Sequence, residues 1–151
     1  MAILIDGHNL IGRMPSLSLR DPDDEERLIA LLRAFRGRTG KTITVVFDPG
    51  AIYALPQTRR QGGIEVVFAA HGSSADEVIL RRVRRARDRA GLVVVTSDRA
   101  LAREVAQYGA RVRSAEDLAR ELSNPAETIE QDVSMSAEEL EAWLALFDAR
   151  E

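Results

Sequence analysis

Four aspartates, at positions 6, 48, 76 and 98, are the residues of this chain whose type and setting could do chemistry. Asp6 closes the apolar run Ala2 to Ile5, Asp48 follows Ile43 to Phe47, and Asp98 follows Leu92 to Thr96. Asp76 opens a helix behind a third such run, Ile64 to Phe68. Carboxylates crowded into one small volume repel and raise one another's pKa. A divalent cation relieves that repulsion, and oxygen-only ligands in a chain without cysteine favour Mg2+ or Mn2+. Such a cation meets phosphate oxygens, helps make a water nucleophilic and stabilises a leaving oxygen, so the chemistry suggested is phosphodiester hydrolysis. Asn9 and Ser97 are placed to orient a phosphate or a water. Glu77 is an extra candidate ligand, although a helix-capping role already accounts for it.

The acids can meet only if the elements that carry them deliver them to one place. Apolar runs as continuous as Ala2 to Ile5 suit strands covered on both faces, as in parallel sheets. Helical stretches alternate with them. One starts at Asp21-Pro22, carries Leu28, Leu31, Leu32 and Phe35 on one stripe, and ends at Gly37 and Gly40. The next has Ser74 and Glu77 in capping-box spacing and runs to about Arg89, with Ile79, Val83, Ala86 and Ala90 inward. Two more span 98 to about 108 and 114–122, with a short edge strand, Arg111 to Arg113, between them. Leu10 to Arg20 and 51–63 read as loops. Strands alternating with helices imply a mainly parallel sheet wrapped on both faces, with all the strand ends on one edge. Open sheets of this kind place their ligands at that edge.

The length of 151 residues fits one domain of ordinary size, read as 1–122, followed by a linker over 123–135 and an amphipathic helix over 136–151 with Leu140, Trp143, Leu144 and Phe147 on its apolar face. No apolar run approaches bilayer length, and the first one is too short for a signal peptide, so the expectation is a soluble cytoplasmic protein. Net charge is −3, unevenly spread: residues 56–113 carry twelve basic and six acidic side chains, residues 114–151 two and eleven. A basic middle can bind a polyanion while the tail keeps the whole molecule acidic. Arg81, Arg82 and Arg85, with Arg84, Arg87 and Arg89, cover much of one helix, and Arg59 and Arg60 sit on the loop. These read either as a solvated face or as a patch that tracks a nucleic-acid backbone.

Plainer readings exist for each acid alone. Asp76 and Asp98 suit helix N-caps, and Asp48 before Pro49-Gly50 suits a turn. What those readings leave unexplained is the joint occurrence on one edge with Asp6-Gly7-His8-Asn9. With His8 and His71 the only histidines, a histidine-based zinc site is a poor fit. A small-molecule phosphohydrolase of the haloacid type would need Asp-x-Asp at Asp6, which is absent.

The run Ile5-Asp6-Gly7-His8-Asn9-Leu10-Ile11-Gly12, then Phe47-Asp48, Ser74-Ala75-Asp76-Glu77 and Val95-Thr96-Ser97-Asp98-Arg99, resembles the NYN domain in its YacP-like branch, within the PIN-like nuclease superfamily. The resemblance covers roughly residues 2–122. It implies a PIN-like three-layer α/β/α sandwich and metal-dependent RNA cleavage, with mRNA or ribosome-associated RNA as substrate and the ribosome as a candidate partner. It also implies that Asp6, Asp48, Asp76 and Asp98 bind the cation, with Asn9 and Ser97 as supports; Arg59, Arg60, Arg81, Arg82, Arg85 and Arg99 are the candidate RNA contacts. Relatives continue the third motif with an isoleucine-glutamate pair where this chain has Ile79-Leu80, so either Glu77 substitutes or cation affinity is lower. A catalytically silent RNA- or ribosome-binding module on the same fold is the alternative.

Overall fold

Alternate residues of the first strand enter different cores. Ile3 and Ile5 pack with Leu10, Leu28, Leu32, Phe35 and Leu118, whereas Leu4 packs with Ile79, Val83, Leu101, Val105 and Leu144. A period of two with both faces buried is the geometry of a central strand. The computed structural model describes residues 2–49, 57–124 and 134–149, with the side chains of 57 and 147–149 left aside. In chain order the elements are β1 (Ala2–Asp6), α1 (Gly7–Ile11), α2 (Asp24–Thr39), β2 (Thr42–Phe47), β3 (Gln57–Gln61), β4 (Ile64–Phe68), α3 (Ala75–Arg85), β5 (Leu92–Val95), α4 (Arg99–Gln107), β6 (Arg111–Arg113), α5 (Ala115–Ser123) and α6 (Ala137–Ala149).

The six strands form one sheet of order β3-β4-β2-β1-β5-β6. Every pairing is parallel except that of β3 with β4. Side chains of α1, α2 and α5 fill one face of it, and those of α3, α4 and α6 the other. This is the three-layer α/β/α arrangement expected from the sequence, with β6 at the edge.

Several local expectations are corrected. Residues 57–61, read as part of a loop, are an edge strand paired with β4 through a two-residue turn in which Gly62 and Gly63 have φ 60° and 85°. Two successive positive φ values are what a tight hairpin of this kind requires, which explains the glycine pair. The rest of the expected loop, 51–56, lies outside the described residues. Gly7 to Ile11, partly assigned to a loop, is a helical turn that buries Leu10 and Ile11. Helix α2 starts at Asp24 rather than Asp21-Pro22, because the Asp21 side chain accepts from the Asp23 amide at 2.9 Å and holds those residues in a turn. It passes through Gly37 and stops at Gly40, whose φ is 70°. Helix α3 ends at Arg85, short of Arg89. The Arg89 guanidinium instead donates to the carbonyl oxygens of Val83 and Arg84, satisfying the end of the helix.

Beyond residue 122 the chain returns to the sheet. Met135 exchanges two backbone hydrogen bonds with Val112 of β6, and Leu140 and Leu144 are buried in the same core as α4. The last helix, expected as an amphipathic segment beyond the domain, thus docks on the sheet through its apolar face. The Phe147 side chain and most of the expected linker lie outside what the structure describes.

Candidate active site

Strands β1, β2 and β5 run parallel, so their carboxyl ends share one edge. Asp6 ends β1, Asp48 follows β2, Asp98 follows β5, and Asp76 stands in the first turn of α3. Asp6 is only 7 % exposed. Burial first, then the negative charges of Asp76 and Asp48, pushes its carboxyl up to about 6, against the opposing pull of the Thr96 hydroxyl, which donates to its Oδ2 at 3.3 Å. Asp76 is also raised, by burial first and then by Asp98, Asp48 and Glu104. Asp76 and Asp48 thus act on Asp6, and Asp98 and Asp48 on Asp76, and among the described residues no positive charge figures in either shift.

Two of the acids also carry structure. Asp98 caps α4, its Oδ1 accepting from the amides of Ala100 and Leu101 at 3.0 and 3.2 Å. The cap reading of Asp98 is correct and still leaves Oδ2 for a ligand. Asp48 Oδ1 accepts from the Ala75 amide at 3.0 Å, pinning the start of α3 to the end of β2. Its Oδ2 lies 3.4 Å from His8 Nδ1, and His8 Nε2 lies 2.7 Å from Glu25. The Glu25 hydrogen bond above all, with help from Asp48 and against burial, raises the His8 pKa. Asp76 is not a cap; Ser74 caps α3 by accepting from the Glu77 amide. The Glu77 carboxylate accepts from the Ser73 hydroxyl at 2.9 Å, which accounts for that side chain without a ligand role.

Asn9 and Ser97 join the edge together. Asn9 Oδ1 accepts from the Ser97 amide at 2.8 Å, tying α1 to the loop after β5. The Ser97 hydroxyl is occupied: it accepts from the Ala115 amide and donates to Glu116, whose carboxylate pairs with Arg13 at 2.8 Å. Burial pushes Glu116 up, but the Ser97 hydroxyl and Arg13 hold it below its usual value. Ser97 is thus a joint between the site and α5. Glu116, Thr96 and the His8–Glu25 pair were not singled out in the sequence, where Glu116 looks like any acid behind a helix cap.

The arginines divide. Arg99 borders Asp98. Arg82 and Arg85 line a hollow of about 290 Å³ with Ala2 and Leu92, the first residues of β1 and β5, and so lie toward the amino edge. Helix α3 carries them about 9–14 Å along its axis from Asp76, at 1.5 Å per residue. Arg82 is also bound to Glu65 at 2.7 and 3.3 Å. Arg81 and Arg60 are exposed, and Arg59 pairs with Glu26 at 3.0 Å over the Phe68 ring.

Gly7 is required by close approach. A Cβ there would lie 2.4 and 2.6 Å from the Phe47 ring and 3.0 Å from Val45. The His8 ring packs on Phe47, centroids 5.0 Å apart. Gly7→Ala is expected to lower stability by about 1–3 kcal/mol through overpacking, read as a lower midpoint in urea.

The donor chemistry of the edge fits a hard divalent cation: four carboxylates at one edge, with Oδ2 of Asp98 and the Asp76 carboxylate not committed to the bonds above and Asp6 held by the Thr96 hydroxyl and the Asn9 amide. Among the described residues no three histidine, cysteine, aspartate or glutamate side chains already form a closed cation cluster.

This fold, with acids along its carboxyl edge, defines a PIN-like domain of the nuclease type. The chain belongs to the YacP-like NYN domain family, whose model matches residues 3–146. It is 32 % identical over 136 residues to the uncharacterized protein YacP of Bacillus subtilis (strain 168), spanning 87 % of this chain and 78 % of that protein. A crystal structure of a mutant of Rae1 (YacP) from Bacillus subtilis is 30 % identical, with a TM-score of 0.68 over 82 % of this chain and 76 % of that one. A second Rae1 (YacP) structure, aligned at 24 % identity over 99 % and 80 % of the two chains with a TM-score of 0.68, adds likeness of fold. Among the described residues no helix is long and apolar enough to cross a membrane.

Proposed function

We propose that this domain is a divalent-metal-dependent endoribonuclease that hydrolyses RNA phosphodiester bonds in the cytoplasm, on mRNA or ribosome-associated RNA. The observation that carries the reading is the delivery of Asp6, Asp48, Asp76 and Asp98 to one sheet edge, where burial, Asp76 and Asp48 raise Asp6 to about 6 and burial, Asp98 and Asp48 raise Asp76. Mg2+ or Mn2+ held by these carboxylates would supply Lewis acidity toward phosphate oxygens. The chain's own residues supply the frame. Thr96 holds one oxygen of Asp6, the α4 amides hold one oxygen of Asp98, and the Asn9–Ser97 bond holds α1 to the loop after β5. His8 steadies Asp48 from the side of α2.

The test is cleavage of mixed single-stranded and structured RNAs in Mn2+, Mg2+ or EDTA, with Asp98→Asn alongside. Cleavage is expected with either metal, none in EDTA, and a loss of about a thousandfold in the variant, in line with the several kcal/mol that a cation contributes. Cleavage that survives both EDTA and Asp98→Asn would remove the mechanism. Leu80, standing where relatives carry an acid, and the arginine-rich helix favour one second reading, a binding module that does not cut. RNA binding without cleavage in any metal, including with translating ribosomes present, would establish it.

A further inference from the structure

Past Ser97 and Arg99 the edge continues into a cleft of about 450 Å³, lined by Arg13, Arg99, Glu116, Asp117, Arg120 and Trp143. Its size falls in the range of about 300–1,000 Å³ occupied by small-molecule sites. Trp143 is 37 % exposed although its helix neighbours Leu140 and Leu144 are 2 % and 1 % exposed. The indole therefore leans on the core and keeps part of its surface at the cleft. Arg13 and Arg120 stand at the rim, side chains 44 % and 65 % exposed, in ion pairs with Glu116 at 2.8 Å and Asp117 at 3.3 Å. Exposed pairs of this kind are weak, so a phosphate can compete for the arginines. A narrow crevice that shares Ser97, Arg99, Met135 and Trp143 with the cleft also touches Thr96 and Asp98.

Sites for unpaired nucleic acid combine an aromatic platform with cations that follow the backbone. This cleft has both, next to Asp98. We propose that it is a subsite for one unpaired ribonucleotide of the substrate, with the base stacked on Trp143 and the adjoining phosphates held by Arg99, Arg13 and Arg120. The placement beside the scissile bond rests on the nuclease reading; the binding itself does not. A base within a duplex is already stacked on its neighbours, so the subsite selects single strands.

Trp143 is the only tryptophan of the chain, so its fluorescence reports on this cleft alone. The experiment titrates the full chain, in EDTA, with a single-stranded hexaribonucleotide and separately with a blunt RNA duplex. Saturable quenching by the single strand and none by the duplex is expected. By anisotropy of the labelled strand, Trp143→Ala weakens binding about tenfold, toward the lower end of the effect of losing one base–aromatic stack, while Trp143→Phe retains most of it. Should Trp143→Ala melt before the assay temperature, Arg120→Glu reads the same site and is expected to weaken binding and flatten its salt dependence. An unresponsive tryptophan, equal quenching by the duplex, or unchanged affinity in the folded variants overturns the subsite. Quenching without metal-dependent cleavage keeps the subsite and removes the nuclease; Asp98-dependent cleavage with an unresponsive tryptophan does the reverse.

Discussion

Asp6→Asn is expected to lose cleavage by about a thousandfold and, in EDTA at pH 8, to melt higher than the wild type. Both effects have one cause. The Asp6 carboxylate is buried beside Asp76 and Asp48, and its pKa rises from 3.8 to about 6. The native state therefore holds the proton more tightly than the unfolded chain does. Between pH 3.8 and about 6 the folded protein binds more protons, so stability falls as pH rises through that window. The deficit is complete above it, on the order of 3 kcal/mol at about 1.4 kcal/mol per unit, and absent below it. Asparagine has a similar shape, still accepts from the Thr96 hydroxyl and carries no charge, so the variant's advantage should appear at pH 8 and vanish near pH 4. Saturating Mn2+ should reverse the ranking, because a cation that binds only the folded wild type stabilises it by mass action. Thermal melts at pH 4, 6 and 8, with EDTA or Mn2+, test all three expectations. A variant less stable than the wild type at pH 8 in EDTA would mean that the charge at Asp6 is already compensated.

The same physics explains which parts of the molecule were legible in its sequence. Strands β1, up to Asp6, and β5 are apolar throughout and β2 is β-branched and apolar with Thr42 and Thr44 interleaved, so the aspartate at or shortly after the end of each is conspicuous. Strand β3 is Gln-Thr-Arg-Arg-Gln. It is held by its ladder with β4, and Thr58, Arg59 and Arg60 are exposed, so no apolar alternation announces it. An edge strand with charged side chains is protected from pairing with other chains, and that protection hides it. The link from Asp48 through His8 to Glu25 joins residues 40 and 17 positions apart, for which a sequence has no periodic signal. Ser97 was marked for its place beside Asp98, but its hydroxyl serves α5, whose arrival at this edge depends on the whole sheet. The arginines teach a different lesson. A helix that follows a parallel strand runs back toward the amino edge, so Asp76 at its start and Arg85 at its end belong to opposite edges. Topology alone sets that separation, and the clustering of charge along the sequence obscured it.

Glu121→Ala is expected to be the most destabilising single change away from the acids, at about 3–5 kcal/mol. Arg113, on β6, is buried against α5, where its Nη2 donates to Glu121 at 2.9 Å and to the Asp117 carbonyl oxygen at 3.4 Å. The two paired side chains are 9 % and 10 % exposed, and Arg113 Nε has no partner among the described residues. Removing the carboxylate leaves a guanidinium in the core with neither water nor counter-charge, which is why breaking such a pair costs more than the pair contributes. Replacing both members, as Arg113→Met with Glu121→Leu, should recover most of the loss, because an apolar pair of similar volume carries no desolvation penalty. Urea denaturation of the wild type, both single variants and the double variant measures the coupling directly. If Glu121→Ala loses less than about 1 kcal/mol, the pair behaves as a surface pair and water reaches it. The position also separates stability from chemistry. Glu121 lies two turns beyond Ser114 and Ala115, where α5 meets the site through Ser97, and touches none of the four acids. Cleavage per folded molecule should therefore stay at the wild-type level at low temperature and fall only as the unfolded fraction grows.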